Sequence, residues 1–281
     1  MISRLLTAGM TLAFATSANA QAHTTPSAQL DKFIPVSQVS GVDIVRLTEL
    51  PKAPKKNEET ESCDNRASKT PSAEARAVEE HGWTVTGEAK LGSLQVVSFV
   101  AETEEGTSGS CLLKDGNIAF YDGGKLVALA YASKKTALSL GRVEEHGDVL
   151  RLWDGDLVQQ PVADAKLVGG KEGIVITALP NEEKFCAGQV TVPNVRHVPI
   201  ILARMMLKEY GWQPEQSKQE PDSTSQDLLD MGINEVDGCA GTGFGFCGFE
   251  YKNAGNSLSV ATVGDSPDTP SVISYDVKCS N

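Results

Sequence analysis

Short apolar runs of strand length fill most of this chain, and only two stretches carry a helical period. Leu94–Val100, Cys111–Leu113, Ile118–Tyr121 and Leu126–Tyr131 form a first group of strands. Asp115-Gly116-Asn117 and Asp122-Gly123-Gly124 lie between the last three and predict hairpin turns. A second group runs through Val149–Trp153, Leu157–Val162, Lys166–Val168 and Ile174–Ala178, with no helix among them. It either extends the first sheet or bridges the two helix-bearing halves of the chain. A third group is Phe244–Tyr251, Leu258–Val263 and Val272–Cys279, its first turn at Asn253–Asn256. Cys247, Phe249 and Tyr251 share one parity, as do Ile273, Tyr275, Val277 and Cys279, so these two faces are expected to meet in a core.

The first helix is expected from about Pro71 to His81, with Thr70 as N-cap and Gly82 as the left-handed residue that stops it. The second starts at Pro199 and stops at Gly211. Ile200, Ala203, Leu207 and Tyr210, joined by Met206, make its apolar stripe. A tryptophan follows each stop, Trp83 and Trp212. Helices of about three turns are marginal alone in water, so both must pack on sheet. Gln213–Gln226 reads as a polar loop.

These helix stops set a frame for the cysteines. Cys63 precedes the first helix and Cys186 the second; Cys111 follows Gly82 by 29 residues and Cys239 follows Gly211 by 28. The frame predicts equivalent bonds Cys63–Cys111 and Cys186–Cys239, leaving Cys247–Cys279, with a local Cys239–Cys247 bond as the competitor. The expected fold is α+β. Two modules, 63–192 and 193–281, each place a short helix on an antiparallel sheet, with extra strands between them. Residues 21–62 read as a mobile N-terminal segment and linker with one strand, Val42–Leu47, ahead of a Pro- and Lys-rich stretch.

Composition sets the compartment. Residues 1–20 read as a signal peptide, with Arg4, an apolar Leu5–Phe14 and the small-residue site Ala18-Asn19-Ala20. An even set of six cysteines behind an export signal favours disulfides, and the periplasm is the expected location. Losing Arg4 takes the net charge from −12 to −13, which argues against nucleic acid and anionic membrane surfaces as partners. No other apolar run is long enough for a membrane span.

Motifs for chemistry are sparse. Gly243-Phe-Gly245-Phe-Cys-Gly248 matches G-x-G-x-x-G but lies inside a strand-like run, so no cofactor is expected. His23, His81, His146 and His197 show no zinc spacing; the string Glu-Glu-His-Gly occurs twice, ending at Gly82 and Gly147, and no metal is expected. No serine or free-cysteine nucleophile stands out, and no catalytic residue is assigned. Asp148, Asp154, Asp156 and Asp164 cluster around Trp153, which could stack on a sugar ring; facing carboxylates would suit a glycosidase. Phe244 and Phe246 fall on the parity opposite Cys247. That face either packs a neighbouring layer or presents both rings to a partner.

The last third resembles a recurring module of proteobacterial periplasmic proteins. The resemblance rests on Tyr210-Gly211-Trp212, on Cys239-Ala-Gly-Thr-Gly-Phe-Gly-Phe-Cys247-Gly-Phe249, on Leu258–Val263 with Gly264-Asp265, and on Cys279. It covers about 85 residues and implies no activity; Gly264-Asp265 stands where the module is expected to have Gly-Glu. A helix on an antiparallel sheet, used twice, is also similar in outline to secreted beta-lactamase-inhibitor proteins. The leading functional expectation is a non-enzymatic protein that binds another protein or an envelope component, with Trp153, Phe244 and Phe246 as candidate contact residues. The alternatives are a hydrolase acting on sugars or cell wall through scattered carboxylates, and a structural envelope factor.

Overall fold

A computed structural model describes residues 33–55, 63, 71–106, 111–155, 158–217, 220–221, 223–240, 243–264 and 270–280. The proposed signal peptide, the Thr70 cap and Asp156 lie outside them. Strands make up 51% of the described residues and helices 13%, so β-sheet dominates and helices only cover it. In chain order the elements are β1 (Ile34–Ser37), β2 (Val42–Arg46), α1 (Ala73–Glu80), β3 (Thr84–Leu91), β4 (Leu94–Val100), β5 (Glu102–Glu105) and β6 (Cys111–Lys114). Next come β7 (Asn117–Asp122), β8 (Lys125–Ala132), β9 (Leu140–His146), β10 (Val149–Asp154), β11 (Pro161–Val168), β12 (Gly173–Thr177), β13 (Glu182–Phe185) and β14 (Val190–Pro193). The chain ends with α2 (Ile200–Glu209), β15 (Gln213–Pro214), α3 (Ser223–Asp230), β16 (Val236–Cys239), β17 (Cys247–Asn253), β18 (Asn256–Val263) and β19 (Ser271–Lys278).

Three sheets hold the molecule together. The first has the order β2-β8-β7-β4-β3, the second β1-β12-β11-β10-β9, and the third β15-β17-β18-β19 with β16 also on β17. Alternation along each strand sorts side chains to two faces. One face of the first sheet packs Val97, Phe99 and Ala119 under Ala75 and Val78 of α1. Its other face packs Val96, Ile118 and Phe120 against Leu150, Leu152, Ala163, Ile174 and Ile176 of the second sheet. A separate core joins the third sheet to α2 and α3 through Phe249, Tyr251, Leu258, Val260, Ile200, Leu207 and Leu228.

The second strand group, joined by β1, therefore makes a sheet of its own rather than extending the first, and it lies between the first sheet and the third. The N-terminal segment is part of both sheets: β1 pairs parallel with β12, and β2 pairs with β8. The single strand expected there becomes two. The strand β3 was not legible because Gly87 and a register shift interrupt its alternation. The Asp115–Asn117 turn does not close a hairpin, since β6 pairs with β5 and β7 with β4 and β8. Gly116 is required there, because a Cβ would come within 2.6 Å of the Leu140 backbone. The hairpin β13–β14 spans residues 182–193, almost wholly within the first expected module, yet Val190 and Val192 belong to the C-terminal core.

Both helices stop as their glycines dictate. Gly82 and Gly211 have φ of 88° and 87°, and Trp212 N–H returns to Leu207 O at 3.1 Å. The N-cap of α1 is Ser72, whose hydroxyl accepts from Ala75 N–H at 3.1 Å. The expected loop 213–226 contains the start of α3, an eight-residue helix whose sequence STSQDLLD offers only two apolar side chains.

The disulfides are Cys63–Cys111, Cys186–Cys279 and Cys239–Cys247. The first matches the helix-stop frame. The expected Cys186–Cys239 and Cys247–Cys279 bonds are replaced. Strand β18 separates β17 from β19, which puts two strand spacings, about 9–10 Å, between them. A disulfide needs Cα atoms within about 7 Å. Cys239 is instead the register partner of Cys247 across β16 and β17, at 4.1 Å between Cα atoms. A count of residues after a helix stop fixes no such distance.

Candidate functional site

Two features of the surface stand apart from the packed layers. One is the outer side of α2. Its stripe of Ile200, Ala203 and Leu207 is fully buried, each large side chain gaining about 1.5–3 kcal/mol from burial. Ile201, Leu202 and Met205 lie off that stripe and are exposed by 38%, 52% and 60%. Arg204 Nη1 donates to Gly232 O at 3.1 Å, which brings the end of α3 alongside and adds the exposed Met231. Beneath this surface Glu235, with no exposed area, accepts both arms of Arg204 at 2.8 and 2.9 Å and the Tyr251 hydroxyl at 3.0 Å. That satisfied triad fixes α2 on the sheet. Residues 200–240 carry three basic and eight acidic side chains in sequence, and beside Ile201 and Met205 stand Arg204, Lys208 and the buried Glu235.

Phe244 and Phe246 extend the picture. Both are 37% exposed, with ring centroids 6.0 Å apart in an edge-on pair. They do not sit in a strand: β17 begins at Cys247, and Gly243 and Gly245 with positive φ form the bend before it. The Cys239–Cys247 bond closes the base of this loop. Phe244 O accepts from Gly264 N–H at 3.0 Å, and Pro270 beyond it accepts from Ile200 N–H at 2.9 Å, so the loop stands at the end of the unit where α2 begins. The two glycines serve this bend, and a strand rather than a helix follows them.

The other feature is a cleft of about 560 Å³ between the outer faces of the second and third sheets. The register places Arg142, Glu144 and His146 of β9 beside Trp153 and Arg151 of β10. From the opposite wall come Glu250, Ser259, Ser274 and Asp276. Its base is a buried ionic chain. Arg151 binds Asp164 through two hydrogen bonds, at 2.9 and 3.0 Å, and reaches Glu183 of β13 at 2.6 Å. Glu183 lies 3.8 Å from Arg196, whose guanidinium covers the Tyr275 ring at 4.0 Å. All four charged side chains are at most 8% exposed and their charges cancel. Burial opposes the charge on Arg151, but Asp164 and Glu183 outweigh it and hold its pKa above the ordinary value. Burial is also the main cause of the raised Tyr275 pKa.

Trp153 lies in this cleft, with Arg142 5.4 Å over its ring, and Arg142 is paired with Glu144. Its Nε1 is buried with no hydrogen-bond partner among the described residues, as is Arg196 Nε. A buried unpaired donor costs about 1–3 kcal/mol. The carboxylates that sequence clusters around Trp153 do not gather there. Asp164 is committed to Arg151, Asp154 accepts from Ser139 N–H at 2.9 Å, and Asp148 is not among the lining residues. Of the singled-out histidines, His146 lines the cleft, while His81 ends α1 with Nδ1 2.7 Å from Ala77 O. Among the described residues no group of three or more His, Cys, Asp or Glu is placed to hold a metal, and no helix is long and apolar enough to cross a membrane.

Sequence reasoning missed the outer side of α2 although its signal was present. Three apolar residues remain once the stripe is assigned, and a helix covering one sheet has no second face to bury them. The cleft left no such trace, since its lining is assembled by strand pairing within separate sheets and by the packing of those sheets on one another. Compared with family models, with curated proteins and with solved structures, the chain matched none.

Proposed function

We propose that this is a non-enzymatic binding protein of the periplasm, and that its partner is a protein segment with apolar side chains flanked by lysine or arginine. The observation that carries this reading is the exposure of Ile201, Leu202, Met205 and Met231 as one patch on α2 and the end of α3. Isolated exposed apolar residues are ordinary, but a contiguous group rimmed by charge is typical of docking surfaces. Methionine suits such a surface because its unbranched side chain adapts to what it meets. The net charge of −12 favours a basic partner and discourages a second copy of the same acidic chain. Three disulfides fit an oxidising compartment. Phe244 and Phe246 supply a second contact beside the start of α2.

A photo-crosslinking residue in place of Met205, in cells that export the protein, tests this. One discrete adduct with a basic protein is expected, reduced when Phe244→Ala and Phe246→Ala are added. No adduct, or the same adduct from a crosslinker at Lys125 beside α1, would count against the reading. Saturable turnover of a cell-wall or ester substrate by the purified protein would overturn it.

A further inference from the structure

We propose that the cleft between the second and third sheets is a binding site for a neutral oligosaccharide, separate from the partner surface on α2. The three tryptophans of the chain divide sharply. Trp83 Nε1 donates to Pro51 O at 2.7 Å and Trp212 Nε1 to Thr191 O at 2.8 Å, each closing a helix stop onto a neighbouring segment. Among the described residues Trp153 has its indole nitrogen unpaired, and it lines the cleft. Buried tryptophan N–H groups normally find an acceptor. Arg196 Nε, on a side chain 6% exposed, lines the same cleft and lacks one too.

The ligand class follows from charge. The buried chain Asp164–Arg151–Glu183–Arg196 is neutral as a set, and Arg142 is spoken for by Glu144. Glu250 and Asp276 on the facing wall repel anions, as does the chain as a whole at −12. What remains is an aromatic ring between fixed donors and carboxylate acceptors. Sugar hydroxyls both donate and accept, and their C–H faces lie flat on an indole. The volume falls in the ~300–1,000 Å³ range of small-molecule sites. Both walls are sheet faces, so the site is held by rigid elements.

Tryptophan fluorescence of the mature chain tests the inference, since Trp83 and Trp212 are enclosed in the two cores and Trp153 reports the cleft. The probes are neutral tetrasaccharides of glucose and N-acetylglucosamine, with tetragalacturonate and spermine as charged comparators. A saturable emission change with at least one neutral probe is expected. Ser259→Trp, which fills the cleft from the opposite wall, should weaken that binding at least tenfold, followed by calorimetry, while the melting temperature stays near that of the parent. Trp153→Phe should weaken it similarly. No heat or emission change across the neutral panel, equal affinity in Ser259→Trp, or binding of spermine or tetragalacturonate alone would overturn the proposal.

Discussion

Glu235 and Glu250 are backbone neighbours, joined by a hydrogen bond from Glu250 N–H to Glu235 O at 3.0 Å, yet their side chains take opposite sides of the third sheet. Glu235 turns inward and is held by Arg204 and Tyr251; burial, then the Glu235 charge, raises the Tyr251 pKa. Glu250 turns toward the cleft. Burial raises its pKa above the ordinary 4.5, the Ser259 hydroxyl at 3.0 Å partly offsets this, and the charges of Asp237 and Glu215 push it up further. A raised folded-state pKa means the folded form holds the proton more tightly than the unfolded chain. The stability Glu250 contributes is thus fully present below pH 4.5 and lost as pH rises through its raised value. Glu250→Gln should melt above the parent at pH 7, and the two curves should converge near pH 4. A Gln variant less stable at pH 7 would mean that Glu250 is held by a favourable partner.

At the scale of elements, the helix stops were the most legible feature and the disulfides the least. Gly82 and Gly211 identify themselves because only glycine enters the left-handed region cheaply, and both tryptophans that follow anchor by their indole N–H. Ser72 took the cap from Thr70 because the helix begins two residues later than Pro71 suggested. The cysteine frame failed where sheet order decides contacts, since order is not written in spacing. The loops closed differ greatly: 93 residues for Cys186–Cys279 and 8 for Cys239–Cys247. Chain entropy then gives about 4.6 kcal/mol for the first and about 2.5 kcal/mol for the second as upper figures. Replacing Cys186 and Cys279 by serine should therefore lower urea stability more than replacing Cys239 and Cys247. The second pair of changes should instead loosen the loop bearing Phe244 and Phe246. The reverse order of stabilities would show that the short loop is structurally dominant.

At the scale of the molecule, the chain alternates helix, sheet, sheet, cleft, sheet and helices. The dominance of strands and the grouping of runs were readable because β alternation is local. That two sheets would face one another across a dry core, and two across a charged cleft, was not. Arg142, Arg151, Trp153 and Glu183 are ordinary strand residues until pairing aligns the first three and sheet packing brings Glu183 to Arg151. Which apolar residues stay outside was half-visible in α2, where seven apolar side chains in ten positions exceed what one sheet can cover. The binding function rests on those leftover side chains forming a contact surface. The direct measurement is fluorescence anisotropy of a labelled amphipathic Leu/Lys peptide titrated with the mature protein and with its Leu202→Asp, Met205→Asp variant, alongside thermal melts. Salt-sensitive binding by the parent, weakened at least tenfold in the variant with its melting temperature nearly unchanged, is the predicted result. Equal binding by both proteins, or a variant that melts many degrees lower, would contradict it and return those side chains to the core.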